Sequence, residues 1–241
     1  MSKGKKARPL PDRVVIGYIH PGQVSAFFTH SLIMSLMHDQ GTSRRIVGIE
    51  QEWSSANVSM SRNEVTHRFL NNYDAEWLWW IDSDMAWEHT ALDALLDVAD
   101  PDTAPIVGGL CFGASNGELF PTLYQLAEVD GELTTTRPQD FEPNTLTKVA
   151  ATGAAFLLIH RGVLEKIRDR EFNRTFTFFQ ETEMNGRPVG EDITFCLRAL
   201  NCGASIFVHT GVEVGHHKSH LLTAELHRQQ RAMINEGTVS V

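Results

Sequence analysis

Apolar positions along the chain fall into two kinds of grouping. Compact blocks, many of them β-branched, stop abruptly at Gly, Pro, Asp or His, and longer stretches between them carry apolar residues three and four apart. The first kind suits strands buried on both faces and the second suits amphipathic helices. Val14 to Ile19 (VVIGYI) reads as a first strand, ended by His20-Pro21-Gly22. A helix is expected next, with Val24, Phe27, Phe28, Ser31, Leu32 and Ser35 on one face and Gly41 as its stop. Arg45 to Ile49 is a second strand, leaving Glu50, Gln51 and Glu52 at its carboxyl end as candidates for ribose or base contacts.

Ser59 to Asn71 follows as a helix. Ser61 and Glu64 have capping-box spacing and Val65 and Phe69 form an i, i+4 pair, which puts Arg62 and Asn63 in the first turn. Trp77 to Ile81 (WLWWI) is too short for a typical helix and reads as a fully buried strand. After it come a short helix behind Thr90 with Leu92, Leu95 and Leu96 inward, and a strand from Pro105 to Leu110 whose Gly108-Gly109 pair implies close approach by backbone or ligand. Alternation of this kind predicts an α/β fold with a mainly parallel central sheet covered by helices.

The second half changes character. Leu123 to Thr136 carries Asp130-Gly131 between two strand-like runs, a hairpin signal and the mark of a small antiparallel extension. Ala154 to His160 is a further strand, followed by a short helix around Val163 to Ile167. Gly190-Glu191-Asp192 opens a helix with Ile193, Cys196, Leu197 and Leu200 on one face and Gly203 as its stop. Ala204 to His209 is the last strand. An amphipathic, basic helix is expected from Leu221 to Ile234. Taken together, residues 1–13 read as a flexible basic leader, 14–220 as one domain, and 221–241 as a C-terminal amphipathic helix and tail.

Composition narrows the function classes. The 241 residues hold 21 Lys and Arg against 30 Asp and Glu, a formal net charge of -9, which argues against a broad nucleic-acid-binding track but leaves room for a nucleotide held by a few placed cations. Three cysteines without C-x-x-C spacing make neither a disulfide framework nor a Cys-rich zinc site. With no signal-peptide pattern in the leader and no apolar run of membrane-spanning length, a cytoplasmic location is expected.

The buried strand at Trp77 to Ile81 runs out into Asp82-Ser83-Asp84. If the backbone stays extended there, both carboxylates leave one face and Ser83 points away, a geometry able to hold a divalent cation at the ligand-binding edge of an open sheet. Arg62, near a helix N-terminus, is placed to meet a phosphate. Glu191 and Asp192 open a second helix, where the dipole favours carboxylates whatever their use. His216, His217 and His220 form H-H-x-x-H, a zinc-like spacing, but no Cys and no H-E-x-x-H accompany it.

In this order, Asp82-Ser83-Asp84 at a strand end, Glu191-Asp192 opening a helix and His216 past the last strand resemble the GT-A-fold glycosyltransferases, in particular inverting family 2-like enzymes of the stand-alone bacterial or bacteriophage type. The resemblance runs from Val14 to about Lys218. It includes Ser61 to Asn63, the GGL strand at Gly108 to Leu110, Thr152 to Ile167, and Gly190 to Gly203. It implies a GT-A (nucleotide-diphospho-sugar transferase) fold with helices on both faces of the sheet. It also implies hexosyl transfer from a UDP- or GDP-linked sugar to a hydroxyl of an acceptor that is a protein, a glycan or a small molecule. Asp84, Asp82 and His216 would hold Mn²⁺ or Mg²⁺, with Asp82 often on the sugar or ribose instead. Pro21, Arg62, Asn63 and Ser83 would complete the donor site, Asp192 would be the general base, and Glu191 would bind acceptor or orient that base.

His20-Pro21-Gly22 departs from the Asp-rich loop of many family 2 enzymes, so no base-recognition contact carries over. Retaining GT-A enzymes share the metal motif, and the inverting outcome rests on Asp192 alone. Two other readings stand beside the transferase. A nucleotidylyltransferase lacks support because the first turn is not a Gly-rich basic loop, and a non-catalytic nucleotide-sugar-binding protein is disfavoured because Asp82, Asp84, Asp192 and His216 are all competent residues. Phe176, Phe178 and Phe179 read equally as an acceptor loop or as core.

Overall fold

The computed structural model describes residues 12–54, 57–115, 118–129, 132–171, 174–219 and 228. The first half follows the expected alternation: β1 (Val14–His20), α1 (Ala26–Gly41), β2 (Ile46–Trp53), α2 (Val58–Asn72), β3 (Trp77–Ile81), a two-residue β4 (Met85–Ala86), α3 (Ala91–Val98) and β5 (Ile106–Leu110). An antiparallel excursion comes next, with β6 (Phe112–Ser115) paired to β7 (Glu118–Pro121), and β8 (Leu123–Val129) paired to β9 (Glu132–Thr136). Then come β10 (Leu146–Val149), β11 (Ala151–Thr152), β12 (Phe156–His160), α4 (Arg161–Arg170), the hairpin β13 (Thr182–Met184) and β14 (Arg187–Val189), α5 (Glu191–Asn201), β15 (Ile206–Glu213) and β16 (Gly215–His216).

The central sheet has seven strands in the order β10-β15-β5-β12-β3-β1-β2. Strands β2, β1, β3, β5 and β15 run one way, while β12 and β10 run the other. The sheet is therefore mainly parallel but mixed, with antiparallel β12 at its centre and β10 at its edge, in addition to the antiparallel pairs β6-β7 and β8-β9 outside it. The cause lies in the connection. Between β5 and β12 the chain runs through the hairpins, the edge strand β10 and β11 instead of a single crossover helix, and a connection without that helix does not impose a parallel return.

Helices cover both faces. Phe28 of α1 and Leu92, Leu95 and Leu96 of α3 pack with Val14, Ile16, Trp77, Trp79 and Phe156. On the other face Val65 and Phe69 of α2, Val163, Leu164 and Ile167 of α4, and Phe195, Cys196 and Ala199 of α5 pack with Val15, Leu78, Trp80 and Leu157. All five residues of β3 are buried, as the unbroken apolar run requires. At Gly109 the close approach comes from side chains, since an added Cβ would lie 2.8 Å from both Phe156 and Val214.

Several local expectations are corrected. On α1 the buried positions are Phe28, Ser31, Ser35 and Asp39, while Val24 and Phe27 are exposed. The serines are inward because Ser31 Oγ accepts the Trp87 amide and Ser35 Oγ accepts the Trp87 indole N–H. Glu50 and Glu52 lie within β2, not beyond it, and both carboxylates accept from Arg68 of α2. On α5 the inward face is Thr194, Phe195, Cys196 and Ala199, drawn there by the stacking of Phe195 on Phe179 at 4.8 Å. Phe178 and Phe179 are fully buried core. The Asp130-Gly131 turn and residues 1–11 lie outside the described residues, as does the expected C-terminal helix apart from Arg228, which is helical. No helix among the described residues is long and apolar enough to cross a membrane.

Candidate active site

Asp82-Ser83-Asp84 does not stay extended. The Met85 amide donates to the Asp82 carbonyl at 3.1 Å, which closes a turn directly after β3. Three separate parts of the chain then fix the turn's backbone. The Asp82 amide donates to the Ala155 carbonyl just before β12 (2.8 Å), the Ser25 amide at the α1 N-cap donates to the Ser83 carbonyl (2.9 Å), and the His217 amide donates to the Asp84 carbonyl (2.8 Å). The turn is thus tied to both flanking layers. It also sends the two carboxylates to different partners, correcting the expectation that they share one face.

Asp82 Oδ1 accepts from Arg62 Nη2 at 2.8 Å. Burial pushes the Asp82 carboxyl up, against the pull of Arg62 and with a further push from Asp84. Asp84 Oδ2 accepts from His216 Nε2 and from Lys218 Nζ, each at 3.1 Å. Those two contacts outweigh desolvation and hold the Asp84 carboxyl down at about 2. His216 Nδ1 lies 3.0 Å from the Phe112 carbonyl, which can only accept. Nδ1 therefore carries a proton, and Nε2 is aimed at Asp84. Its hydrogen bond to Asp84 raises the His216 pKa. His216 belongs to β16, a strand that pairs with β4, and not to a helix; His220 lies outside the described residues.

Arg62 is 5% exposed. Helix α2 begins one turn earlier than the capping-box spacing suggests, because Asn57 is the cap and accepts the Met60 amide. Arg62 therefore sits in the second turn, not the first, and its guanidinium works as a buried clamp. It donates to Asp82, reaches the Ala154 carbonyl at 3.3 Å, lies 3.4 Å from Glu191 Oε1, and stacks over the Trp80 ring at 5.0 Å. Asn63, 1% exposed, spends its amide on the Ser59 and Phe179 carbonyls and the Phe178 and Phe179 amides. It supports the site from beneath and does not line it.

A cleft of about 800 Å³ opens at the carboxyl ends of β1 and β3. Pro21, Arg62, Asp82, Ser83, Asp84 and Glu191 line it, with His20 and Lys218 at its rim. Asp192 stands beside Glu191 but recessed. Its Oδ1 accepts its neighbour Ile193's amide at 2.7 Å, its Oδ2 faces the Cα of Gly153, and no donor among the described residues reaches Oδ2. Burial, then the charge of Glu191, pushes the Asp192 carboxyl up. Neither Lys218 nor the His20 Nε2 contact with Gln51 was legible beforehand. The only signal for Lys218 was its place two residues after His216.

Among the described residues no group of three or more His, Cys, Asp and Glu converges in a metal-binding arrangement. The pair Asp84 and His216 nevertheless has the donor chemistry for a divalent cation, a carboxylate beside an imidazole whose other nitrogen is anchored to a carbonyl. Charge points the same way. Three carboxylates, Asp82, Asp84 and Glu191, meet three basic groups, Arg62, His216 and Lys218, and each basic group is already engaged by one of those carboxylates, so little positive charge is left over for a diphosphate. A bound divalent cation would supply it.

No protein-family model matches the chain. No curated protein matches it either. Among solved structures, A197 from STIV aligns over 86% of this chain and 86% of its own at 17% identity, with a TM-score of 0.53. GalNAc-T7, solved with UDP, GalNAc and Mn²⁺, aligns over 85% of this chain at 11% identity, with a TM-score of 0.54. The chain spans 43% of that protein. At these identities the likeness is one of fold, and the fold is shared with a glycosyltransferase.

Proposed function

We propose that the chain is a metal-dependent glycosyltransferase that moves a sugar from a UDP- or GDP-linked donor to an acceptor hydroxyl, with inversion. The observation that carries this reading is the cleft at the carboxyl ends of β1 and β3, with Asp84, held from behind by His216, on one wall and the Arg62-clamped carboxylates Asp82 and Glu191 on another. The shared fold supports it. Asp84 and His216 would hold Mn²⁺ or Mg²⁺, and that cation would supply neutralising charge to the departing diphosphate. Pro21 and Ser83 shape the donor wall. Asp82, fixed by Arg62, would bind the sugar or ribose.

Transfer to a hydroxyl needs a carboxylate to take its proton, and two stand side by side. The Glu191 charge is claimed by Arg62, whereas Asp192 has a raised pKa and a free Oδ2. Asp192 is therefore the general base and Glu191 positions it or the acceptor. The domain spans residues 14–220 in this reading, and the protein works in the cytoplasm on a protein, glycan or small-molecule acceptor. Nucleoside-diphosphate release from a panel of nucleotide sugars, with and without Mn²⁺, tests the proposal. Metal-dependent release from one donor, reduced roughly 10²-fold or more in Asp84→Ala, is expected. Release that ignores both metal and mutation would overturn it.

A further inference from the structure

Lys218 has no assigned role, yet its ammonium shares a single oxygen, Asp84 Oδ2, with His216 Nε2, both at 3.1 Å. Its side chain is about half exposed and lines the cleft beside Arg62 and Ser83. The strap that carries it is anchored independently. The His217 amide donates to the Asp84 carbonyl, β16 pairs with β4, and the Val214 amide donates to the Leu110 carbonyl. Lys218 is therefore not needed to hold the strap in place, and its long side chain is free to turn while its backbone stays put.

A carboxylate oxygen that already accepts an ammonium is a poorer ligand for a divalent cation, because the two positive charges compete for the same lone pairs and repel each other. A diphosphate entering the same cleft offers the displaced ammonium a second anionic partner within reach of a four-carbon stem.

We propose that Lys218 is an exchangeable counter-ion. It occupies Asp84 in the cation-free protein, yields that oxygen when a divalent cation binds, and transfers its ammonium to the diphosphate of the donor. This rests on the assignment of Asp84 and His216 as cation ligands. Cation and donor binding are then coupled through one side chain, since the donor stabilises the state in which Lys218 has left Asp84.

The test uses the full chain and direct binding, with no turnover required. Mn²⁺ affinity is read by electron paramagnetic resonance of free Mn²⁺, and UDP and GDP affinities by calorimetry at saturating Mn²⁺. Lys218→Met removes the charge and keeps the apolar stem. Without nucleotide it should bind Mn²⁺ roughly two- to fivefold more tightly, the scale of a partly exposed ion pair lost as competitor. With Mn²⁺ saturating, it should bind the nucleoside diphosphate about tenfold more weakly, the scale of one lost charge-assisted contact. Lys218→Arg should restore the nucleotide affinity. Opposite signs for the two ligands are the signature, because a merely structural lysine would weaken both or neither. Unchanged or weaker Mn²⁺ binding in Lys218→Met, with the wild type binding Mn²⁺, overturns the exchange and leaves the cation site standing. A wild type that binds no Mn²⁺ overturns both.

Discussion

At the scale of single residues, burial and charge push the carboxyls at and beside the cleft in opposite directions. Asp84 is held ionised at about 2 by His216 and Lys218, as a cation ligand must be, whereas Asp192 is pushed up by burial and by Glu191, as suits a base. Asp192→Asn should therefore lower kcat by roughly 10²- to 10⁴-fold while leaving donor affinity nearly intact, measured by steady-state transfer and by calorimetry. The wild-type kcat/KM should fall as pH is lowered, through an inflection above the ordinary carboxylate range. Stability carries the opposite sign. A carboxyl whose folded pKa is raised contributes stability below its unfolded pKa and loses it as pH rises through the folded value. At neutral pH, then, Asp192→Asn removes a buried charge, and its melting temperature should exceed that of the wild type. The difference should narrow as the pH approaches the usual carboxylate range. With Asp192 as the proposed base, activity and stability would be traded at this position.

Individual elements position these residues through a few buried contacts. Helix α2 delivers Arg62 to the cleft and, one residue on, uses Asn63 to hold the Phe178-Phe179 segment against the sheet. Asn63→Ala would leave several buried backbone groups without partners and should cost about 3 kcal/mol in urea denaturation, with the loss of cleft geometry following from the loss of packing. On β5 the added methyl of Gly109→Ala would meet Phe156, Val214 and the Val212 carbonyl, so the neighbours of the Asp84 strap would have to move. A cost of about 1–3 kcal/mol is expected, together with weakened Mn²⁺ binding. A variant as stable as wild type would show that β5 and the strap are not packed as described.

Over the whole molecule, the cleft joins parts of the chain that meet only in the folded state: the turn after β3, helix α2, the start of α5 and the strap around β16. Ligand binding should therefore stabilise the fold globally. Because Arg62, His216 and Lys218 are already paired with carboxylates, UDP or GDP alone should shift the melting temperature little, and nucleotide with Mn²⁺ should raise it. At a hundredfold excess over Kd the stabilisation is about 2.7 kcal/mol, or roughly 5–10 °C for a chain of this size, read by thermal shift with Mg²⁺, Mn²⁺ and a chelator. Equal shifts with and without cation would contradict the charge argument.

Sequence by itself determined the elements and the place where chemistry is offered. A run such as WLWWI must be buried, the Asp residues that end it must leave the core at the sheet's edge, and helical spacing locates α2, α3 and α5. These are local properties, written within windows of about one element. What only the tertiary structure decided was partnership. The pairs Arg62 with Asp82, His216 with Asp84, and Lys218 with Asp84 span 20, 132 and 134 positions, and no periodicity encodes them. The turn at Asp82-Ser83-Asp84, the burial of Asn63, and the antiparallel insertion of β12 were likewise hidden. Each depends on where a distant backbone amide or a returning strand finds its hydrogen bonds, and that is settled only when the layers pack.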